Sequence, residues 1–195
     1  MPSLETALKS GKAIRTIGFD DAPFKRKPFS PVNISGIVCS NTRFEGMLWG
    51  EVQQDGSDAT EVITRMILNS KFHPQVHLII IDGIAVGGFN VIDLKSLSQN
   101  INRPCVSVMR HLPDLNAIKK ALKNLDDGDK KFDLIMKAGE IYQQKGFIYQ
   151  VCGSTPETTA QALLALTDQG NVPEALRLAH LIGSAIMTGQ SSRRA

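Results

Sequence analysis

Apolar and polar positions along the chain fall into short runs that predict a series of strands and helices. A strand over residues 13–19 and a hairpin of two strands over 33–41 and 46–53 come before a helix over 59–68. The next strand, 77–82, contains four consecutive aliphatic residues, a pattern typical of a strand that is covered on both faces. We therefore expect three strands before the first helix, and an interior strand after it.

The second half of the chain continues this alternation and indicates the fold class. The predicted elements are a helix over 91–99, a strand over 104–109, helices over 114–122 and 131–138, a strand over 146–152, and helices over 156–166 and 173–187. Three strands, a helix, a strand, a helix and a strand are the order of a ribonuclease H-like α/β fold, whose first and fourth strands lie side by side. We expect one domain over residues 1–195, a mixed sheet flanked by helices, with 190–195 as a frayed polar tail.

Carboxylates stand at the ends of two predicted strands. Asp20 and Asp21 follow the first strand, and Asp82 closes the aliphatic strand just before a loop rich in glycine. Ligands of α/β sheets bind beyond the carboxyl ends of the strands, and oxygen ligands from separate strands suit a hard cation such as Mg²⁺ or Mn²⁺. The alternative is that these aspartates only hydrogen-bond the loops that follow them.

Composition narrows the class of protein but does not choose a function. Of the 195 residues, 42% are hydrophobic and 21% are charged, as in an ordinary globular protein, and a net charge of +3 permits contact with polyanions. Cys39, Cys105 and Cys152 are widely spaced in apolar runs, which predicts buried thiols in a reducing compartment. No apolar stretch approaches the roughly 20 residues of a membrane span, and no signal-peptide core is present. We expect a cytoplasmic protein without a membrane partner.

Several blocks of sequence resemble a known family. Residues 18–20, 82–83, 104–110 and 173–180 are similar, in order, to blocks of endonuclease V. More closely, the blocks 18–24 (GFDDAPF), 55–61 (DGSDATE) and 82–90 (DGIAVGGFN) resemble the endonuclease dU family of archaea and cyanobacteria. The resemblance extends over residues 14–186.

This resemblance implies a metal-dependent endonuclease that cuts a phosphodiester near a deaminated base, uracil or hypoxanthine, in a DNA-repair role. DNA is expected ahead of RNA. Asp20 and Asp82 correspond to metal-binding carboxylates, and the third is assigned to Glu61, with its neighbour Asp58 as the alternative. Arg110 stands where endonuclease V has a lysine, and His180 matches a residue near the metals. Asp20, Glu61, Asp82, Arg110 and His180 are thus the candidate catalytic residues, with Mg²⁺ or Mn²⁺ as cofactor.

The candidate substrate contacts surround these residues. The set is Asp21, Phe24, Asp58, Gly83, Gly87, Gly88, Phe89 and Asn90. The glycines would let backbone amides approach a phosphate or an extruded base. A basic segment, Lys25-Arg26-Lys27, lies between two phenylalanines, which suits single-stranded nucleic acid but also an ordinary solvated loop. Endonuclease V has a Pro-Tyr-Ile-Pro wedge before its first helix, whereas residues 53–57 are polar here.

Structural alternatives exist for the other candidates. Ser57 or Asp58 could cap the first helix, and Glu61 could be the third residue of a capping box. Arg110 could be a solvated strand end. In the last helix, Arg177 and His180 share a face that could point toward the carboxylates.

The same helix would then pack Leu178, Ile182 and Ile186 inward, and His180 could equally be a buried core residue.

Two other functions are compatible with the sequence. One is a non-catalytic nucleotide- or nucleic-acid-binding module, and the other is a regulatory subunit that needs a partner.

Overall fold

A computed structural model describes residues 3–27 and 29–192. Its strands are β1 (Arg15–Asp21), β2 (Pro31–Ser40), β3 (Arg43–Gln53), β4 (Leu78–Asp82), β5 (Ala85–Val86), β6 (Asn90–Val91), β7 (Cys105–Met109), β8 (Tyr142–Gln144) and β9 (Phe147–Cys152). Its α-helices are α1 (Leu4–Lys9), α2 (Ala59–Leu68), α3 (Leu94–Ile101), α4 (Leu115–Leu122), α5 (Gly128–Lys137), α6 (Pro156–Ala165) and α7 (Glu174–Thr188). None of the described helices is long and apolar enough to cross a membrane.

Seven strands form one mixed sheet in the order β3-β2-β1-β4-β7-β9-β8, and β5 and β6 form a separate small hairpin. The central strands β1, β4 and β7 run parallel, and the outer strands are antiparallel to their neighbours. Phe19 of β1 lies opposite Ile81 of β4, so the next residues, Asp20 and Asp82, are neighbours at the carboxyl edge. The predicted mixed α/β, ribonuclease H-like fold is confirmed.

Helices cover both faces of the sheet. Helices α2 and α3 pack on one face, where they bury Ile79 and Ile81 of β4. Leu78 and Ile80 point to the opposite face, where they join a second core with α1 and α6. Because side chains alternate along a strand, Asp82 shares this second face with Ile80.

Helix α7 packs closely on β1 and β2 on the same face as Asp82. A Cβ atom at Gly18 would lie 2.7 Å from the backbone carbon of Ala175, so this approach requires glycine. The inward positions of α7 are small: Ala175, Ala179 and Gly183 are all buried. Leu178 and Ile182 flank these positions and pack, half-buried, against the buried cluster of Ile37, Cys39, Ala175 and Ala179, as expected. The expectation that Ile186 packs inward is wrong, because this residue is 53% exposed.

Other differences from the sequence prediction concern short elements. Helix α1 precedes β1, so a helix and not a strand comes first, and the strand β8 was not predicted. Both elements are very short, which leaves little periodicity to detect. Strand β1 extends to Asp21, so its carboxylates lie inside the strand and not after it. Cys39 and Cys105 are buried thiols as expected, but Cys152 is only half-buried. Part of the predicted frayed tail, residues 193–195, lies outside the described residues.

Candidate active site

Asp20 is the buried member of a pair of carboxylates at the carboxyl edge of the sheet. Only 7% of the residue is exposed, and it lies beside Asp82 on the neighbouring strand. Burial raises the pKa of Asp20 to about 8, and the negative charges of Asp82 and Asp21 add to this rise. Ionised carboxylates repel one another at this short range, so the pair favours a bound cation or a bound proton.

Asp21 belongs to the same acidic edge but points to the other face of the sheet. Its Oδ2 accepts a hydrogen bond of 2.7 Å from the backbone N–H of Gly87. Burial raises the pKa of Asp21, although this hydrogen bond opposes the rise. Asp21 therefore holds the glycine-rich loop against the end of β1.

Arg110 supplies positive charge at the rim of the site. It directly follows β7, and its Nη2 lies 3.4 Å from Oδ2 of Asp82. Its charge also lowers the pKa of Asp20, against the larger effect of burial. The Arg110 side chain is exposed, so part of its guanidinium remains accessible to an incoming anion.

His180 approaches the pair from α7. Its Nδ1 lies 3.1 Å from Oδ2 of Asp20, a contact between residues 160 apart in sequence. The imidazole is partly exposed, with 29% of the side chain accessible, so it is not a fully buried core histidine. Arg177, expected on the same face, instead forms an ion pair with Glu174 at 2.6 Å. Only one of the two α7 side chains therefore joins the carboxylates.

The candidate third carboxylates at the start of α2 have other partners. The Glu61 side chain is 81% exposed and pairs with Arg65 of its own helix at 3.5 Å. Asp58 accepts hydrogen bonds from the backbone N–H of Gln53 at 3.2 Å and from Nδ2 of Asn90 at 2.6 Å. The structure therefore does not place Glu61 in contact with Asp20 and Asp82, and it commits Asp58 to the loop around Asn90.

Asn90 organises the start of α2. Its Oδ1 accepts the N–H of Ala59 at 3.0 Å, the capping contact that was expected from Ser57 or Asp58. Neither predicted residue caps the helix: Asp58 makes no side-chain cap bond, and the Ser57 hydroxyl donates to Asp127. Asn90 is fully buried and also donates to the Gln53 carbonyl, so it acts as a scaffold residue in this conformation.

The glycine-rich loop is held by two aspartates and not left open. Gly87 donates to Asp21 as described, and the N–H of Phe89 donates to Oδ1 of Asp55 at 2.7 Å. Gly88 has φ +86°, and a Cβ there would lie within 2.4 Å of Asp55 Oδ1. The backbone N–H groups of Gly87 and Phe89 thus already donate hydrogen bonds within the protein. The sequence did not predict this role of Asp55, because its only local signal is the Asp-Gly pair of a turn.

The basic segment lies near the same edge of the sheet. Lys25, Arg26 and Lys27 are all exposed, whereas Phe24 is half-buried against the core. Phe29, the second phenylalanine of this loop, is 75% exposed. Pro28 lies outside the described residues.

A cavity of about 250 Å³ opens beside Asp82 and Arg110. Val108, Val172 and Leu176 form an apolar part of its wall, while the remaining lining residues are Met109, His111 and Asn171. An apolar wall beside a few polar groups is the usual character of a small-ligand site.

The carboxylates at the edge of the sheet suit a hard cation that takes only one or two of its ligands from side chains. Among residues 3–27 and 29–192, no three His, Cys, Asp or Glu side chains gather as a ready metal cage. Mg²⁺ does not need such a cage, since it commonly keeps several waters and uses one or two carboxylates with substrate phosphates. Asp20 and Asp82 fit that requirement: burial raises the pKa of Asp20 and the neighbouring charge of Asp82 raises it further, so a bound cation would stabilise the ionised pair.

The fold and this edge define a ribonuclease H-like α/β protein with paired carboxylates on its two central strands. Residues 12–187 match the family model for endonuclease dU, so the chain belongs to the endonuclease dU family, a family of nucleases. A UPF0215 protein of Methanosarcina barkeri is 37% identical over 186 residues, covering 93% of this chain and 95% of the relative.

Solved structures show the same fold. A protein of unknown function from Archaeoglobus fulgidus superposes with a TM-score of 0.84 at 34% identity, covering 89% of this chain and 98% of that one. Endonuclease V of Ciona intestinalis, solved with a DNA 24-mer containing an inosine followed by a ribo-adenosine, has a TM-score of 0.55 at 15% identity. The superposition covers 87% of this chain and 84% of the Ciona intestinalis chain. The family resemblance predicted from the sequence is confirmed.

Proposed function

We propose that this protein is a Mg²⁺- or Mn²⁺-dependent endonuclease that hydrolyses a phosphodiester bond of DNA beside a deaminated base. The observation that carries the proposal is the pair Asp20 and Asp82, adjacent on parallel strands with Arg110 on one side and His180 on the other. Membership of an endonuclease family supports the reaction class.

Each residue of the site has a task in this reaction. Asp20 and Asp82 would hold the cation, which supplies charge compensation for the phosphate and lowers the pKa of a bound water. Arg110 orients the scissile phosphate, because its guanidinium is partly accessible beside Asp82 and donates in a planar fork. His180 is held by Asp20 at 3.1 Å and is positioned to accept or return a proton at its free Nε2.

The cavity beside Asp82 and Arg110 supports a nucleotide substrate. A phosphate bound by Arg110 would place an attached nucleoside against the apolar wall of Val108, Val172 and Leu176. The choice of a deaminated base as the target is supported by the family to which the chain belongs and by the inosine-containing DNA bound to the endonuclease V neighbour. The polar segment 53–57, in place of a wedge, favours a substrate whose target base is already unpaired.

A cleavage panel tests the proposal. Labelled single- and double-stranded oligonucleotides would carry uracil, hypoxanthine or no deaminated base, each with Mn²⁺, with Mg²⁺ and with a chelator. We expect cleavage of the deaminated substrates with metal only, and strongest in single strands. Cleavage that persists in chelator would overturn the metal requirement, equal cleavage of undamaged DNA would overturn the base preference, and no cleavage of any substrate would overturn the proposal itself.

A further inference from the structure

A groove of about 510 Å³ opens between the loop that joins β1 to β2 and the end of α7. Its apolar lining consists of two prolines, a phenylalanine and a methionine: Pro23, Phe24, Pro31 and Met187. Met187 is 45% exposed and Phe24 is half-buried. Two exposed lysines, Lys25 and Lys27, line the same groove, so it combines an apolar surface with positive charge.

Both walls of this groove are fixed by hydrogen bonds. The side chain of Gln54, which is buried, accepts the backbone N–H of Lys27 at 2.7 Å. The backbone N–H of Gln54 donates to the carbonyl of Ser30 at 2.8 Å, so the loop is held on both sides of its tip. On the opposite wall, Nδ2 of Asn33 donates to the sulfur of Met187 at 3.5 Å. A groove whose walls are already ordered loses little freedom when a ligand binds, which favours affinity.

Helix α7 connects the groove to the candidate active site. His180 contacts Asp20 near the end of β1. One turn further along, a Cβ at Gly183 would lie 3.3 Å from the Cα of Ala22, just beyond the strand. Met187 follows on the same face of the helix, seven residues or about 10 Å along the axis from His180. A DNA strand bound at the carboxylates would reach the groove within about three nucleotides, since stacked nucleotides are about 3.4 Å apart.

The chemistry of the groove matches an unpaired nucleotide. A nucleobase has a flat face that stacks on an aromatic ring, and the phosphates on either side of it are negatively charged. Phe24 and Met187 offer the apolar contact, and Lys25 and Lys27 offer the opposite charge. None of the described residues that line the groove is acidic, in contrast to the edge of the sheet beside it. A base inside a duplex is covered on both faces by its neighbours, so only an unpaired base could enter.

We propose that this groove binds an unpaired base of the substrate strand, about three nucleotides from the scissile phosphate, with the adjoining phosphates on Lys25 and Lys27. This inference rests on the endonuclease function proposed above and adds a requirement on its substrate. The DNA must be single-stranded on the flank that reaches the groove, whatever the state of the target base.

Binding to undamaged DNA tests the groove without any cleavage. The affinity for a single strand of about 12 nucleotides would be measured by fluorescence anisotropy in chelator. Phe24→Leu keeps an apolar side chain against the core but removes the ring, and Met187→Glu places a negative charge in the groove. Each should weaken binding about 10-fold, the scale of one stacked base. Phe24→Tyr retains an aromatic ring and should bind as the wild type does.

Leu164→Glu is the matched control for Met187→Glu. It makes the same change of charge at a position of α6 that is 54% exposed, and it should bind DNA normally. Equal affinities of these two glutamate variants would overturn the proposal, and so would a wild type that does not bind single strands.

The length of the flank locates the groove relative to the cut. Single strands with one deaminated base would be shortened from the 5′ end or from the 3′ end, and cleavage with Mn²⁺ would be compared between the wild type and Met187→Glu. The difference between the two proteins should disappear in one series only, once that flank is shorter than about three nucleotides. A difference that persists in both series would overturn the assignment. Binding that depends on the groove without cleavage of any substrate would instead overturn the endonuclease function and retain a single-strand site.

Discussion

His180 and Asp20 are joined by a contact of 3.1 Å between Nδ1 and Oδ2, although they lie 160 residues apart and on different layers of the fold. The contact exists because α7 approaches β1 closely over Gly18 and Ala175. It joins the carboxylate whose pKa is raised to about 8 to an imidazole, a side chain that can both donate and accept a proton.

His180→Gln should separate participation in the reaction from a packing role. Glutamine can still hydrogen-bond Asp20 but cannot relay a proton, so we expect single-turnover cleavage to fall by about 10²-fold or more. The melting temperature should change little, because the imidazole is partly exposed. The opposite pattern, a clear loss of stability with a normal rate in the folded fraction, would remove His180 from the active site.

Asp82→Asn should abolish metal-dependent cleavage while preserving the fold. The change removes one of the two carboxylates that would hold the cation but retains the size of the side chain, so we expect a rate loss of at least about 10²-fold. Circular dichroism should be unaltered. Asp133→Asn on the exposed surface of α5 is the matched control and should cleave normally. Full activity in Asp82→Asn would disprove the proposed cation site.

Asp20 makes the stability of the metal-free protein depend on pH. Its pKa is raised from 3.8 to about 8, so the folded state binds a proton that the unfolded state releases across this window. Stability should therefore fall as pH rises from about 4 to about 8. Asp20→Asn should flatten this decline and raise the melting temperature at pH 8 by several degrees, corresponding to about 2 kcal/mol. Thermal denaturation of the wild type and of Asp20→Asn in chelator, across this pH range, checks the prediction. If the melting temperature of Asp20→Asn fell with pH as steeply as that of the wild type, the prediction would be wrong.

Glu61→Gln should leave both cleavage and stability nearly unchanged. The side chain is 81% exposed and its partner is Arg65 on the same helix, an arrangement that contributes little free energy. We expect a change in the free energy of unfolding within about 0.5 kcal/mol. A rate loss comparable to that of Asp82→Asn would show instead that Glu61 reaches the cation in the active complex.

The basic segment should contribute to binding and not to chemistry. Replacing Lys25, Arg26 and Lys27 with alanine should weaken DNA binding and reduce the salt dependence by up to about three units of slope, less for a single strand. Single-turnover cleavage at saturating DNA should be nearly normal. Lys9, Lys12 and Lys71 lie at the opposite end of the sheet, so replacing these three is the control of equal charge. An identical salt slope in both triple variants would make residues 25–27 an ordinary solvated loop.

Local pattern alone determined the main elements and the central pair of carboxylates. The aliphatic run before Asp82 specifies an interior strand, because four consecutive apolar side chains need cover on both faces. The order of strands and helices then places the first strand beside it, so the adjacency of Asp20 and Asp82 followed from sequence. The family followed as well, since it rests on ordered blocks of residues.

Only the tertiary structure decided which polar groups have partners. Asn90 and not Ser57 or Asp58 caps α2, because a loop 31 residues further along the chain returns to the start of the helix. Glu61 satisfies a capping pattern yet points outward, and Asp55, inconspicuous in the sequence, fastens the glycine-rich loop. Period and propensity act over a few neighbouring residues, whereas hydrogen bonds between distant segments depend on how closely the layers pack. Helix α7 is the clearest case: small residues recur every four positions along it, but only the close approach of Gly18 to Ala175 shows that they, and not the larger residues, face the sheet.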